Sequence, residues 1–175
     1  TGTGLDRWHE QLAKGDQARG RTMQVDYDTY AEGEALLAWL NATVRISCEK
    51  GLDGNQLLQE LATAMQRQVQ RDKGEIAHLK MTLATLDGLN EMAMINLVRN
   101  EVVPELSLGL HDPVTKGELI VNARAETSPE ALKKAFDRAL SACARPDQEL
   151  QLKHFESFRP GRPVPTHRVI ETGAS

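Results

Sequence analysis

Five histidines, two cysteines and a carboxy-terminal set of arginines are the residues of this chain whose types could do chemistry. The histidines are His9, His78, His111, His154 and His167, and the cysteines are Cys48 and Cys143. No two of them stand at Cys-x-x-Cys or His i, i+4 spacing, so no local metal site is written into the sequence. His78 and His154 fall in two separate segments that read as strands. If both line one open sheet face, their imidazoles form a candidate metal or anion site. Metal binding there needs neutral imidazole and weakens as pH falls. Lys80 shares the face of His78, and Asn96, Arg99 and Glu101 are further polar candidates. Arg159, Arg162 and Arg168 lie in a stretch broken by Pro160, Pro163 and Pro165 and free of acids from 159 to 168. Proline keeps such a stretch extended, and guanidinium grips carboxylate or phosphate with paired hydrogen bonds, so these three arginines are candidates for docking a negatively charged partner.

No G-x-x-x-x-G-K-[ST], G-x-G-x-x-G, G-x-S-x-G or H-E-x-x-H string occurs, and no pair of carboxylates has useful spacing. No catalytic residue is therefore expected, and no nucleotide should be held by the residues present. Cys48 lies on an apolar strand face and Cys143 ends an apolar helix stripe, which is the pattern of buried free thiols.

The elements that position these residues follow from periodicity. Leu5, Trp8 and Leu12 share one helix face, and Met23 and Val25 alternate as a short strand. Thr29 and Glu32 have capping-box spacing, and Leu36, Leu37, Trp39 and Leu40 give the following helix an apolar side that Asn41 ends. Val44, Ile46 and Cys48 alternate as a strand, and Leu57, Leu58, Leu61, Met65 and Val69 mark a long amphipathic helix. A strand carrying Ala77, Leu79, Met81 and Leu83 comes next. The same order returns 75 residues later. There Leu119, Val121 and Ala123 alternate, Ser128-Pro129 caps a helix bearing Leu132, Phe136 and Leu140, and Leu150, Leu152, Phe155 and Phe158 close the unit. Between the units, 91–99 and 105–110 read as two strands, the second ended by His111-Asp112-Pro113. Two inserted strands preserve the antiparallel relation of the units. The expected fold is α+β: a ferredoxin-like, split βαβ antiparallel sheet with two long helices on one face, an inserted hairpin and an amino-terminal helical appendage. Residues 1–41 are assigned to the end of an upstream domain and a linker with two short helices. Residues 42–158 form the α+β domain, and 159–175 the Arg/Pro-rich extended tail.

The chain has 175 residues, with 40% hydrophobic, 4% aromatic and 26% charged residues and a formal net charge of -4. That charge argues against broad nucleic-acid binding. Two distant cysteines fit a reducing cytoplasm, and no apolar run reaches the roughly 20 residues that span a bilayer, so no membrane partner is expected.

Thr1-Gly2-Thr3-Gly4-Leu5-Asp6-Arg7-Trp8 resembles the second half of the Ser-Ala-x-Thr-Gly-x-Gly-Leu-Asp-x-Trp segment of metal-handling P-loop GTPases, the CobW-like proteins among them. In those proteins the segment follows the last strand of the nucleotide domain and opens its final helix. The resemblance implies that this chain is the C-terminal accessory region of a CobW-like GTPase, involved in regulation, oligomerisation or client recognition during metal or cofactor handling. It implies an upstream GTPase domain as partner, a client metalloprotein, and homo-oligomerisation. GTP, Mg²⁺ and a divalent metal would belong to the parent protein and not to this fragment. Two alternatives remain from the residues alone: a free-standing ferredoxin-like binding or oligomerisation module, and a small enzyme whose cleft gathers distant His, Arg and Asn.

Overall fold

A computed structural model describes residues 36–88 and 91–161. The amino-terminal segment, with the GTPase-like string, the helix face of Leu5, Trp8 and Leu12, Met23 and Val25, and the Thr29 cap, lies outside the described residues, as do Arg162 and Arg168.

The first strand, β1, runs Leu37–Leu52. Ala38, Leu40, Ala42, Val44, Ile46 and Cys48 are all buried along it, a period of two that sends every second residue to one face. This corrects the helix expected to end at Asn41, and it moves the start of the domain ahead of residue 42. Leu36, Leu37, Trp39 and Leu40 admit a helical stripe when read alone. Once the strand pairs on both sides, Leu40 goes to the core, Trp39 to the opposite face, and Asn41 sits mid-strand. Gly51, at φ 75, sits in the register shift between Ser47 and Leu52; a Cβ there would lie 2.9 Å from the Pro113 Cβ.

Helix α1, Gly54–Arg71, starts where the Gln56 N–H donates to the Asp53 carboxylate at 2.9 Å. It buries Leu57, Leu58, Leu61, Ala62, Met65 and Val69. It stops at Lys73, which adopts φ 59. The Gly74 N–H then reaches the Val69 carbonyl at 2.9 Å and the Lys73 N–H reaches the Gln70 carbonyl at 3.0 Å, a Schellman pairing that satisfies the helix end.

The remaining elements are β2 (Glu75–Thr85), β3 (Met92–Leu97), β4 (Glu105–Leu108), β5 (Val114–Glu126), α2 (Pro129–Cys143) and β6 (Glu149–Phe158). In α2 the Ala131 N–H donates to the Ser128 hydroxyl at 3.1 Å and Pro129 fills the first turn, as the sequence suggests. The sheet order is β4-β3-β2-β5-β1-β6 and every neighbouring pair is antiparallel. Each βαβ unit is thus split by a strand of the other, and the fold is the expected ferredoxin-like α+β arrangement with a hairpin added beside β2. Val44 pairs with Leu119 in the β1–β5 ladder, so the 75-residue offset between the two units maps this central pair onto itself.

Both helices pack on one face. Leu58, Leu61, Met65, Leu132 and Phe136 close over Leu40, Val44, Leu79, Met81 and Val121, and the Phe136 ring meets Phe155 at 5.8 Å. The polar side of α1 does more than face solvent. Gln66 donates to the carbonyls of Asn100 and Val102, both at 2.8 Å. Gln70 donates to the Asn100 carbonyl at 2.9 Å and Gln59 to that of Pro104 at 3.2 Å. The Asn100 amide group in turn bridges the Gly74 carbonyl and the Ile76 N–H. These bonds tie the β3–β4 loop to the helix.

Candidate functional site

The face of the sheet opposite the helices has no layer over it among the described residues, and the outward half of each strand's alternation lines it. Ladder pairing places these residues in rows. One row is His78 on β2, Arg124 on β5, Trp39 on β1 and Phe158 on β6. The next is Glu105, Asn96, Lys80, Asn122, Asn41 and Glu156, one from each strand in sheet order. Leu108, Met94, Thr82, Ile120, Thr43 and His154 make the third.

Side-chain chemistry differs among the rows. In the second, Asn122 donates to the Asn41 side-chain oxygen at 2.8 Å and Asn96 to the Ser107 hydroxyl at 2.9 Å. The third mixes Leu108, Met94 and Ile120 with two threonines and His154, and Ile120 is 43% exposed. In the first, the Arg124 guanidinium lies over the Trp39 ring, 3.9 Å from its centroid, and Phe158 flanks the same indole at 6.1 Å. The indole Nε1 is buried without an acceptor. His78, Lys80 and Arg124 make no hydrogen bond or ion pair with any described residue. Burial, then the charges of Arg124 and Lys80, hold the His78 imidazole below its ordinary pKa.

His78 and His154 do share the open face, but they do not come together. β5 and β1 lie between their strands, and three strand spacings alone are about 14 Å. Metal–nitrogen bonds near 2 Å cannot span that distance, so the paired-histidine site is corrected. His154 instead faces Glu156 at 3.6 Å. Among the described residues, no three His, Cys, Asp or Glu side chains are gathered to hold a metal. Arg159 donates to the Thr127 carbonyl at 3.0 Å, so its guanidinium braces its own domain. β3 ends at Leu97, which leaves Arg99 and Glu101 exposed in the following loop.

Both thiols are free and buried. Burial, with Glu60 adding to it and Arg145 opposing, pushes the Cys143 thiol up to about 11. Cys48 lines a cleft of about 410 Å³ with Ser47, Glu49, Lys50 and the 146–149 loop, whose lining includes no histidine to take a thiol proton. Neither thiol is arranged as a nucleophile.

Comparison with protein-family profiles, with curated proteins and with solved structures finds no match to this chain. No helix of the described residues is long and apolar enough to cross a membrane.

Sequence reasoning missed the central residues of this face, Trp39, Asn122 and Arg124. Trp39 was hidden by the helical reading of its segment. Asn122 and Arg124 were legible, because they alternate with the inward Val121 and Ala123.

Proposed function

We propose that this chain is the C-terminal accessory region of a CobW-like GTPase and that its ferredoxin-like domain is a non-catalytic protein-recognition module working through the open sheet face. The amino-terminal Thr1–Trp8 string supports the family. The observation that carries the recognition role is the row of Trp39, Arg124 and His78, over which no described residue forms a layer and in which the Arg124 and His78 side chains find no hydrogen-bond partner among the described residues. In this reading GTP and Mg²⁺ bind the upstream domain, and a client protein or the GTPase domain itself docks on the open face. The test has two arms. The upstream reading frame should encode a P-loop, and titrating its purified product into the chain should shift amide signals of β1, β2 and β5. An initiator Met directly before Thr1, or shifts confined to the helix layer, would overturn it.

A second reading is favoured by the exposed Ile120, Met92 and Leu108 on the same face: self-association of a free-standing module. Light scattering separates the two, since a dimer that Ile120→Glu dissolves would establish self-association.

A further inference from the structure

We infer that the corner of the open face formed by Arg124, Lys80 and His78 is a carboxylate-binding site for an acidic peptide segment of a protein partner, whose neighbouring apolar side chains rest on Ile120 and Met94. This rests on the recognition role proposed above and names the chemistry that the role uses.

The argument begins with donors. The Arg124 Cζ lies over the Trp39 ring, 3.9 Å from its centroid, so its guanidinium is held in place before any ligand arrives. That stacking leaves the guanidinium's planar hydrogen-bonding edge unused, and the edge matches a carboxylate. His78 is the cross-strand neighbour of Arg124, and Lys80 is the next outward residue on β2. The positive charges of both act on the imidazole, which places the three groups within electrostatic reach of one another. None has an acceptor among the described residues. Arg124 and Lys80 are donors only, and their acceptor has to come from a partner.

Flanking charge selects what kind of anion fits. Glu75 and Glu126 face each other across the β2–β5 ladder on the far side of the His78–Arg124 row. Glu105 and Glu156 close the two ends of the Lys80 row. A polyanion such as single-stranded nucleic acid would run its phosphates past these carboxylates and be repelled. Base stacking is also poorly served, because Trp39 already has Arg124 over its ring and Phe158 beside it. A single carboxylate, or two close together, fits between the acids. One row further along the strands, the exposed Ile120 and the half-buried Met94 take the apolar side chains that accompany it.

The test uses the full chain, isotopically labelled. The probes are a short synthetic peptide with paired Glu beside Leu and Val, the same peptide with Gln for Glu, and oligothymidylate of matching length. The acidic peptide should shift the amides of His78, Lys80, Asn122 and Arg124, and should bind about tenfold more tightly than its Gln counterpart, a difference that shrinks as salt rises. Arg124→Gln and Lys80→Gln should each weaken binding by roughly five- to tenfold, since each removes a charge-assisted bond. Lys80→Gln leaves the Trp39 stack intact and so guards against a folding artefact. Bound carboxylate should also raise the His78 pKa, because negative charge favours the imidazolium. Equal affinity for the two peptides, with shifts still on the open face, sinks the carboxylate site and spares the recognition role. Shifts on the helix layer, or no binding of either peptide, sink the inference together with that role. Tighter binding of oligothymidylate than of the acidic peptide replaces it with a nucleic-acid site.

Discussion

The two faces of the sheet are built from the same strands and differ in how completely their polar groups are paired. On the helix-covered face, Leu40, Val44, Ile46, Leu79, Met81, Leu119 and Val121 are almost wholly buried. Where polar groups meet this layer's edges, Gln59, Gln66, Gln70 and Asn100 supply partners at the β3–β4 loop and Asn55 at the β4–β5 loop. On the open face Asn122 and Asn96 are paired, but the side chains of Arg124, Lys80 and His78 have no hydrogen-bond or ion-pair partner among the described residues. Stability needs buried groups to be satisfied at home, whereas recognition needs groups held rigid and unsatisfied. The contrast therefore separates what folds this domain from what is available to a partner.

The sharpest way to break this contrast is to cut equally into both faces. Phe136→Ala should cost about 3–5 kcal/mol in urea unfolding, through lost burial and a cavity under Phe155. Ile120→Ser on the open face should cost less than about 0.5 kcal/mol. A comparable loss at both positions would mean that the open face is covered in the folded chain.

A smaller effect is expected at the loop clamp. Asn100→Ala leaves the Ile76 N–H and the Gly74 carbonyl without their partners and should cost about 1–3 kcal/mol. Faster hydrogen exchange at Ile76 should accompany it; unchanged exchange there would show that the clamp contributes nothing to local stability.

pH probes the open corner directly. The folded-state His78 pKa lies below its ordinary value of 6.5, so the unfolded chain takes up the proton first. Its contribution to stability is complete above about pH 6.5 and is lost as pH falls through the folded-state value. The groups acting on the imidazole are Arg124 on β5 and Lys80 on its own strand, and Glu75 and Glu126 lie one outward position beyond. His78→Gln should flatten the dependence of the urea midpoint between pH 7 and pH 5, measured against the unsubstituted chain. An unaltered slope would show that the acid sensitivity arises elsewhere.

A small change is expected at the residue with the largest proposed role. Arg124→Gln should lower stability by only about 0.5–1 kcal/mol, the worth of a partly exposed stack on Trp39. A loss several times larger would reassign Arg124 from recognition to holding the fold together.

The sequence by itself determined the elements whose causes are local. Leu57, Leu61, Met65 and Val69 repeat at helical spacing, Ser128-Pro129 caps α2, and Val44, Ile46 and Cys48 alternate; each depends on neighbours within a turn or two. The split βαβ order and the inserted hairpin were legible too, because parity of strand direction constrains them. Tertiary structure alone decided the rest. Trp39 became strand because β5 and β6 pair on both sides of it. A register shift between Ile76 and His78 turned Ala77 outward and let both Ile76 and Leu79 face the core. Pairing also set His78 and His154 three strands apart, brought Arg124 onto Trp39, and bent Arg159 back to Thr127. These contacts join residues dozens of positions apart, and their geometry comes from register and packing, which no local spacing in the chain encodes.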